Sequence, residues 1–262
     1  MKPIHNQGYL IPAAVYNEAV DYVHCAATLA KTIKYYHPDA KICLLTNKAV
    51  EPDHLFDFVH DFPYPLSNNP FANDWQVFHA TPFRETIKLE ADMIITTPVD
   101  YWWTLLRNRD VVVSTGCRDW KNQQAKSRHY RRVFDENNLP DVYNAITYWR
   151  LSPTAQEFFT AVRNIFENWE DYCTLLKFSE EVPSTDVVYA MAATMIGVER
   201  VTLPPGMGPN IVHMKQHIIA SQTDDWTREL VWESTRPGLR INTVAQWALV
   251  HYHQQDWRID EQ

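Results

Sequence analysis

The feature that most constrains the fold is a succession of three segments near the N-terminus. An apolar segment is followed by a segment with helical periodicity and then by a second apolar segment. Residues 9–14 form a short apolar run, and residues 41–46 form another. Between them, apolar residues recur at helical spacing over residues 23–33, with Asn17 upstream as a candidate N-cap. Strand, helix and strand in this order predict a βαβ unit and therefore an open α/β fold.

The rest of the chain continues the same alternation of short strands and helices. With 262 residues, of which 45% are hydrophobic, the chain can bury one full core, and we expect a single domain over residues 1–262. The pattern predicts short strands at residues 56–60, 92–97, 110–114, 142–151, 199–203 and 211–214. It predicts helices at residues 74–88, 102–106, 153–176 and 185–195.

Scarce glycine limits how this chain can hold a phosphate group. The sequence contains six glycines, and neither GxGxxG nor GxxxxGK[ST] occurs in it. A nucleotide must therefore be held by side chains, a metal ion and ordinary backbone amides. The formal charge of −8 disfavours a protein that coats nucleic acid nonspecifically.

The cysteines and the apolar segments favour a cytoplasmic protein. The four cysteines form no CxxC pair, so we expect them to be reduced and buried rather than to bind zinc. No apolar run follows the first residues, which predicts no signal peptide. No stretch approaches the ~20 apolar residues of a membrane span, so no membrane partner is expected.

An acidic pair precedes one of the predicted strands. Glu90 and Asp92 stand two residues apart, and in an extended segment such residues project to the same side. Two carboxylates there can bind one Mn²⁺ or Mg²⁺, whose remaining positions a diphosphate can fill. The alternative is that Glu90 ends a surface helix and Asp92 caps a turn.

Residues 81–93 resemble the region of GT-A glycosyltransferases in which a helix leads into the metal-binding Asp-x-Asp motif. The first acidic residue here is Glu90, so Asp92 is the better candidate ligand. The resemblance implies a GT-A-like fold, an open, mostly parallel mixed sheet flanked by helices. It also implies that residues 1–115 bind the nucleotide and residues 116–262 bind the acceptor.

The turn after the first strand is similar to the nucleotide pocket of the same family. The resemblance implies that Ala13, Ala14, Tyr16 and Asn17 lie against the base and ribose of a nucleotide sugar. Ligands of open α/β sheets bind beyond the carboxyl ends of the strands, which agrees with this placement. A plain strand-to-helix turn is the alternative.

Two later segments supply candidate catalytic residues. Residues 142–149 resemble the family's Asn-Ala-Gly strand, with Ile146 in the glycine position, so Asn144 either contacts the donor sugar or is structural. Asp186 stands at a predicted helix start, where capping alone explains an acid. By resemblance it is the general base of an inverting reaction, or it positions the acceptor in a retaining one.

Residues 209–215 resemble the late strand that supplies a His to the metal and a Lys to the diphosphate. The resemblance implies that His213 binds the metal and that Lys215 binds phosphate. A rival pair, His251 and His253, stays open as the source of the imidazole ligand.

A basic stretch at residues 118–132 contrasts with the acidic remainder. It contains six Lys or Arg and one Asp, a net charge of +5, which leaves −13 for the rest of a chain whose total is −8. Such segregation indicates a patch for an anionic partner, although a solvated loop is the alternative. The candidate contacts to acceptor or DNA are Lys121, Lys126, Arg128, Arg131 and Arg132.

These segments occur along the chain in the same order as the segments of GT-A transferases that they resemble. The whole is also similar to tailed-phage glycosyltransferases that modify hydroxymethylcytosine in DNA. We therefore expect transfer of a glucosyl or arabinosyl group from a UDP-sugar to double-stranded DNA, in the host cytoplasm if the protein is phage-encoded. The alternatives are a glycan, lipid or protein acceptor, and a noncatalytic protein that binds sugar nucleotides.

Overall fold

A computed structural model of the chain places a six-stranded sheet at the centre of the fold. The described residues are 5–16, 20–125, 132–176, 182–235, 238–247, 249–254 and 257. Their strands are β1 (His5–Pro12), β2 (Ile42–Leu45), β3 (Phe58–His60), β4 (Phe83–Leu89), β5 (Met93–Ile95), β6 (Val111–Thr115), β7 (Cys117–Arg118), β8 (Gln124–Ala125), β9 (Val142–Arg150), β10 (Ile211–His213), β11 (Trp232–Thr235), β12 (Gly238–Ile241), β13 (Val244–Ala245) and β14 (Leu249–His251).

Short and long helices alternate with these strands. The α-helices are α1 (Tyr22–Tyr36), α2 (Val77–Ala80), α3 (Tyr101–Leu106), α4 (Arg132–Glu136), α5 (Pro153–Glu167), α6 (Trp169–Leu176), α7 (Thr185–Ile196), α8 (Val198–Val201), α9 (Gln216–Ile219) and α10 (Trp226–Glu229). A 3-10 helix covers Pro70–Gln76 and leads directly into α2.

The strands of the described residues pair into three sheets. The six-stranded sheet has the order β3-β2-β1-β4-β9-β6, in which β3, β2, β1 and β4 are parallel and β9 and β6 are antiparallel to their neighbours. A five-stranded sheet has the order β5-β14-β10-β7-β8, and β11, β12 and β13 form an antiparallel sheet. The prediction of an open, mostly parallel mixed sheet flanked by helices is confirmed.

Residues 9–11 of β1 are buried on both faces of the sheet, which explains why this part of the strand is continuously apolar. Tyr9 and Ile11 pack in the core layer that contains the buried face of α1, and Leu10 packs in the opposite layer with α5 and α7. Alternate side chains of a strand project to opposite faces, so a strand between two helical layers needs apolar residues at every position. The predicted βαβ unit is confirmed.

Helix α1 begins later than the sequence pattern predicts. The carboxylate of Asp21 accepts the backbone N–H of His24 at 3.1 Å and thereby caps the helix. The predicted cap, Asn17, lies outside the described residues.

The predicted helix over residues 74–88 is wrong. Only the 3-10 helix and the four-residue α2 form there, and Phe83–Leu89 is strand β4, hydrogen-bonded between β1 and β9. Pro82 disfavours helical geometry at Thr81, which is extended with ψ 134°. The charged residues of this segment resemble a helical surface, but its position between two strands determines the structure.

Two other predicted elements also differ from the structure. The predicted helix over residues 153–176 is divided into α5 and α6 at Asn168, whose φ of −121° leaves the helical region. The predicted strand over residues 199–203 is wrong, because Gly197, with φ +105°, ends α7 and the short helix α8 follows.

Two short connections lead directly from the six-stranded sheet into the five-stranded sheet. Residues 90–92 connect β4 to β5, and Gly116 connects β6 to β7. Gly116 has φ +70°, a conformation that glycine adopts without steric cost, and its N–H donates to the carbonyl of Asp141 at 3.0 Å. The two sheets therefore share a seam, and the acidic segment lies in it.

The cysteines form no disulfide, and all four belong to the described residues. Cys25, Cys43 and Cys117 are buried as predicted, whereas Cys173 is only partly buried. None of the described helices combines the length and apolar character needed to cross a membrane.

Asp57 connects three segments at one edge of the main sheet. Its Oδ2 is 3.0 Å from Nζ of Lys34 and accepts the N–H of Ile42 at 3.1 Å, while its Oδ1 is 2.6 Å from Nζ of Lys41. Partial burial acts to raise the pKa of Asp57, but these hydrogen bonds outweigh it and leave the pKa below its ordinary value.

We predict that Asp57→Asn destabilises the fold by about 1–3 kcal/mol at neutral pH, the cost of losing hydrogen bonds to charged groups. A lowered native pKa contributes stability that is present above the unfolded pKa of ~3.9 and is lost as the pH falls through the native pKa. Urea unfolding at neutral and acid pH should therefore show a difference that shrinks in acid. Asp39→Asn, at an exposed carboxylate, is the control; equal effects of both variants contradict the prediction.

Candidate functional site

A cavity of about 520 Å³ opens at the carboxyl ends of the strands. Its walls are formed by the segments after β1 and β4, the ends of β10 and β14, the 3-10 helix and the start of α7. This is the edge where open α/β sheets bind ligands, and the volume is in the range of small-molecule sites.

Strand register brings the acidic segment to the histidines. In the antiparallel β5–β14 pair, Met93 lies opposite His251, and the N–H of Tyr252 donates to the carbonyl of Asp92 at 3.2 Å. In the parallel β10–β14 pair, His213 lies beside His251. Residues separated by more than 100 positions therefore meet because β14 pairs with both strands.

Asp92, His251 and His253 form a cluster with the arrangement of metal ligands. One candidate ligand atom from each lies within 4.8 Å of the others. Oδ1 of Asp92 is 3.0 Å from Nε2 of His251, and the two imidazole rings stack with centroids 3.7 Å apart. Nε2 of His253 is buried and has no hydrogen-bond partner among the described residues.

The backbone of His253 is in the left-handed region, with φ +61°. This conformation is uncommon for residues other than glycine and costs about 1 kcal/mol or more, and such residues concentrate at functional sites. It occurs immediately beyond the end of β14, where the chain leaves the sheet with the rings of His251 and His253 stacked.

The charges of the cluster are strongly coupled. Burial acts to raise the pKa of Asp92, but the charge and hydrogen bond of His251 hold it below its ordinary value. Burial acts to lower the pKa of His251, but Asp92 and Glu90 outweigh it and raise the pKa. Burial and the charge of His251 keep the pKa of His253 well below its ordinary value. This lowering favours the neutral imidazole of His253, the form that binds metals.

Glu90 reaches the same histidine from another side. Its Oε2 is 3.3 Å from Nδ1 of His251, whereas Asp92 approaches Nε2. Burial raises the pKa of Glu90 to about 7, against the opposing charges of His251 and Lys88. Residues 90–92 are not extended, because the chain bends at Ala91 and Asp92 between β4 and β5, but both acids line the same cavity.

Two aromatic side chains complete the surroundings of the histidines. The hydroxyl of Tyr143 is hydrogen-bonded to Nδ1 of His251, and the Tyr143 ring stacks on His213 at 4.3 Å with planes 5° apart. His213, the preferred ligand of the sequence analysis, lines the cavity with its ring centroid 4.7 Å from that of His253. Tyr22 also lines the cavity, and burial together with the charge of Asp92 raises its pKa to about 12.

Part of the predicted nucleotide segment also lines the cavity. Ala14 and Tyr16 line it, whereas Ala13 is buried behind them, and Asn17 lies outside the described residues. The side chain of Asn47 holds this turn, since its Oδ1 accepts the N–H of Val15 at 2.8 Å and its Nδ2 donates to the Val15 carbonyl at 2.9 Å.

Asp186 lines the cavity at the start of α7, and Asn144 lies behind it. The Asn144 N–H donates to Oδ1 of Asp186 at 2.8 Å. The Asn144 side chain is fully buried, with Nδ2 donating to Asp74 at 3.1 Å and Oδ1 accepting from Thr147 at 2.6 Å. Asn144 therefore lies behind the cavity wall, where it is hydrogen-bonded to Asp186 and Asp74.

A buried ion pair forms part of this wall and was not anticipated from the sequence. Nζ of Lys88 is 3.0 Å from Oδ1 of Asp74, and these side chains are 1% and 11% exposed. Oδ2 of Asp74 also accepts from the hydroxyl of Tyr189. Lys88 occupies an inward position of β4, which became recognisable only once that segment was known to be a strand.

The basic residues divide into two groups. Lys215 lines the cavity and, with His251, contributes to lowering the pKa of His253. Lys121 and Arg132 are exposed, and Nζ of Lys121 lies 5.2 Å from the centroid of the Trp120 ring. The predicted contacts that lie outside the described residues are Lys126, Arg128 and Arg131.

Comparison with known proteins identifies the class of fold. No protein-family model and no curated protein matches the chain by sequence. The galactosyltransferase LgtC, solved with donor and acceptor sugar analogues, matches with a TM-score of 0.52 at 13% identity over 94% of this chain and 87% of LgtC. An active-site mutant of LgtC matches with a TM-score of 0.51 at 15% identity over the same shares.

A third glycosyltransferase, GlyE of Streptococcus pneumoniae in its apo form, matches with a TM-score of 0.50 at 12% identity over 97% of this chain and 56% of GlyE. At these identities the comparisons establish the architecture. The chain has the GT-A-like fold that its sequence resemblance predicts.

The residues of the cluster have the chemistry and spacing of ligands to a divalent metal ion. Neighbouring ligands of a six-coordinate ion with bonds of ~2.1 Å lie about 3 Å apart. The separation between Asp92 Oδ1 and His251 Nε2 is 3.0 Å, and the buried Nε2 of His253 adds a third donor. One carboxylate and two imidazoles suit Mn²⁺ better than Mg²⁺, which prefers oxygen ligands.

We predict that Asp74→Asn destabilises the fold by about 3 kcal/mol or more, because it leaves the buried Lys88 ammonium without its counter-ion. Adding Lys88→Met should recover most of this loss, since the uncompensated charge is then absent. Urea unfolding of both single variants and the double variant measures the coupling. Lys121→Met, at an exposed position, should have little effect. Additive single effects contradict the prediction.

Proposed function

We propose that this protein is a metal-dependent glycosyltransferase that uses a UDP-sugar as donor. The observation that carries the proposal is the Asp92, His251 and His253 cluster in a cavity at the carboxyl ends of the strands of a GT-A-like fold. The fold alone is compatible with other activities. A metal-binding cluster within reach of a nucleotide-sized cavity supports nucleotide-sugar chemistry.

The cavity walls supply separate groups for the two ends of the donor. Ala14 and Tyr16, with Ala13 behind them and Asn17 next in sequence, are proposed to hold the base and ribose. Lys215 places a positive charge beside the histidines, where it can bind the diphosphate. When bound, the metal neutralises charge on the departing nucleoside diphosphate.

Asp92, His251 and His253 are the proposed metal ligands. The geometry favours this histidine pair over His213, because the group of candidate ligands among the described residues contains both histidines of the pair but not His213, whose ring packs on Tyr143. As a neutral imidazole, His253 binds a cation without first losing a proton.

Asp186 is the proposed residue on the acceptor side. It lies in the cavity wall and is held there by the N–H of Asn144. In an inverting reaction it accepts the proton of the acceptor hydroxyl; in a retaining one it positions that hydroxyl. The proposed role of Asn144 is to position Asp186 and Asp74, which it joins.

The two parts of the chain contribute differently to the proposed site. Residues 1–115 are proposed to bind the nucleotide and residues 116–262 the acceptor, as the resemblance to GT-A transferases implies. The second part also supplies His251, His253 and Lys215 to the donor site. The acceptor itself stays a prediction: the hydroxymethyl group of modified cytosine in duplex DNA, which is accessible in the major groove.

We predict that the purified protein binds Mn²⁺ and releases UDP from at least one UDP-sugar, and that Asp92→Asn lowers both. The loss in kcat/KM should be at least ~100-fold, the scale of removing one charge-stabilising group. Electron paramagnetic resonance of free Mn²⁺ and a UDP-release assay measure the two effects. The exposed-site variant Asp39→Asn should behave as wild type. A wild-type protein that binds a UDP-sugar but never cleaves it supports the noncatalytic alternative.

We predict for the acceptor that hydroxymethylcytosine DNA receives the sugar. Neutralising Lys121, Lys126, Arg128, Arg131 and Arg132 should lower transfer to DNA by ~10-fold or more, with a weaker salt dependence, because phosphate contacts are lost. Hydrolysis of the UDP-sugar should not change.

Lys48→Gln combined with Arg228→Gln removes exposed charges outside the basic stretch and is the control for this experiment. Intact activity of the neutralised variant on a glycan, lipid or protein acceptor, without transfer to DNA, contradicts the DNA acceptor and leaves the transferase assignment in place.

A further inference from the structure

His251 lies between two carboxylates that approach different nitrogens of its ring. Oδ1 of Asp92 is 3.0 Å from Nε2, and Oε2 of Glu90 is 3.3 Å from Nδ1. The two nitrogens occupy different edges of an imidazole, so the acids do not meet at a common point. Among the described residues, the group that could hold a metal contains Asp92 and excludes Glu90.

A neutral imidazole that binds a cation through one nitrogen carries its proton on the other. In this site Nε2 of His251 faces Asp92 and the metal cluster, so the proton belongs on Nδ1. A protonated Nδ1 needs an acceptor, and the Glu90 carboxylate is close to it. Outer partners of this type orient the ligating histidine and increase its basicity.

Tyr143 supports the same arrangement but cannot determine it. Its hydroxyl is hydrogen-bonded to Nδ1 of His251, and its ring is fixed by stacking on His213. A hydroxyl either donates or accepts, so it is compatible with both tautomers. In the metal-bound site, with Nε2 on the metal and the proton on Nδ1, the carboxylate of Glu90 accepts a hydrogen bond from Nδ1–H beside the Tyr143 hydroxyl.

We propose that Glu90, although it is the first acid of the Asp-x-Asp-like segment, is a positioning residue rather than a metal ligand. It holds His251 with Nδ1–H toward Glu90 and Nε2 toward the metal. This inference deepens the proposed function and depends on it only for the identity of the site as a metal site. The Glu side chain is one methylene longer than Asp, and the chain bends at residues 91–92. Together these features place the Glu90 carboxylate at Nδ1 of His251, away from the nitrogen that faces Asp92.

The test compares Glu90→Gln and Glu90→Ala with Asp92→Asn, using protein without donor or acceptor. We expect Glu90→Ala to weaken Mn²⁺ binding by about 10- to 100-fold, the usual effect of losing an outer partner. Glu90→Gln should lose less, because its amide oxygen still accepts from Nδ1–H. Water relaxation should show the same number of waters on bound Mn²⁺ as in wild type. Asp92→Asn should add a water or abolish binding.

A second measurement separates this inference from the proposed function. Proton and nitrogen-15 NMR of the protein loaded with diamagnetic Zn²⁺ should show the Nδ1–H proton of His251 at the downfield position of a hydrogen bond to a carboxylate in wild type, and shifted upfield in Glu90→Ala. This readout needs no donor, acceptor or turnover. An additional water on Mn²⁺ in the Glu90 variants overturns the inference in favour of a direct ligand. An unchanged Nδ1–H resonance and unchanged Mn²⁺ affinity in Glu90→Ala overturn it altogether.

Discussion

The antiparallel pairing of β5 with β14 is the constraint on which the rest of the site depends. It places Met93 opposite His251 and ties the backbone of Tyr252 to that of Asp92. Because β14 also pairs with β10, the same strand brings His213 and Lys215 to the acidic segment. Displacing this register by one residue moves every side chain of β14 to the other face and removes His251 from Asp92.

The seam between the two sheets explains why charged groups can be concentrated there. Backbone segments that leave one sheet and enter another are bent, so their side chains converge from several directions. Burial then makes each charge depend on its neighbours, which holds the pKa of Asp92 low and that of His251 high. The buried Lys88–Asp74 pair continues this pattern along the cavity wall. Such concentrations of perturbed groups are typical of functional sites.

Much of the fold could be predicted from local patterns, and the failures have identifiable causes. The βαβ unit was predictable because buried strands and an amphipathic helix carry different apolar periods. Strand β4 was not, because residues 83–89 include Arg84, Glu85 and Lys88 at spacings that also suit a helix. This segment is a strand because its backbone forms hydrogen bonds with β1 on one side and β9 on the other. The ion pair between Asp74 and Lys88 could not be predicted either, because the predicted helix over residues 74–88 gave Lys88 no inward position on a strand.

The sequence by itself determined the chemistry that is available: acids near residue 90, histidines in two late segments, and lysines and arginines without glycine-rich loops. Tertiary structure decided how these groups are combined. It placed Asp92, His251 and His253 together, set Glu90 at the other nitrogen of His251, and put Asn144 behind the cavity wall. The physical reason is that spacing along one strand reports only which face a side chain occupies. Which residues meet across a sheet depends on the pairing and register of strands that are distant in sequence.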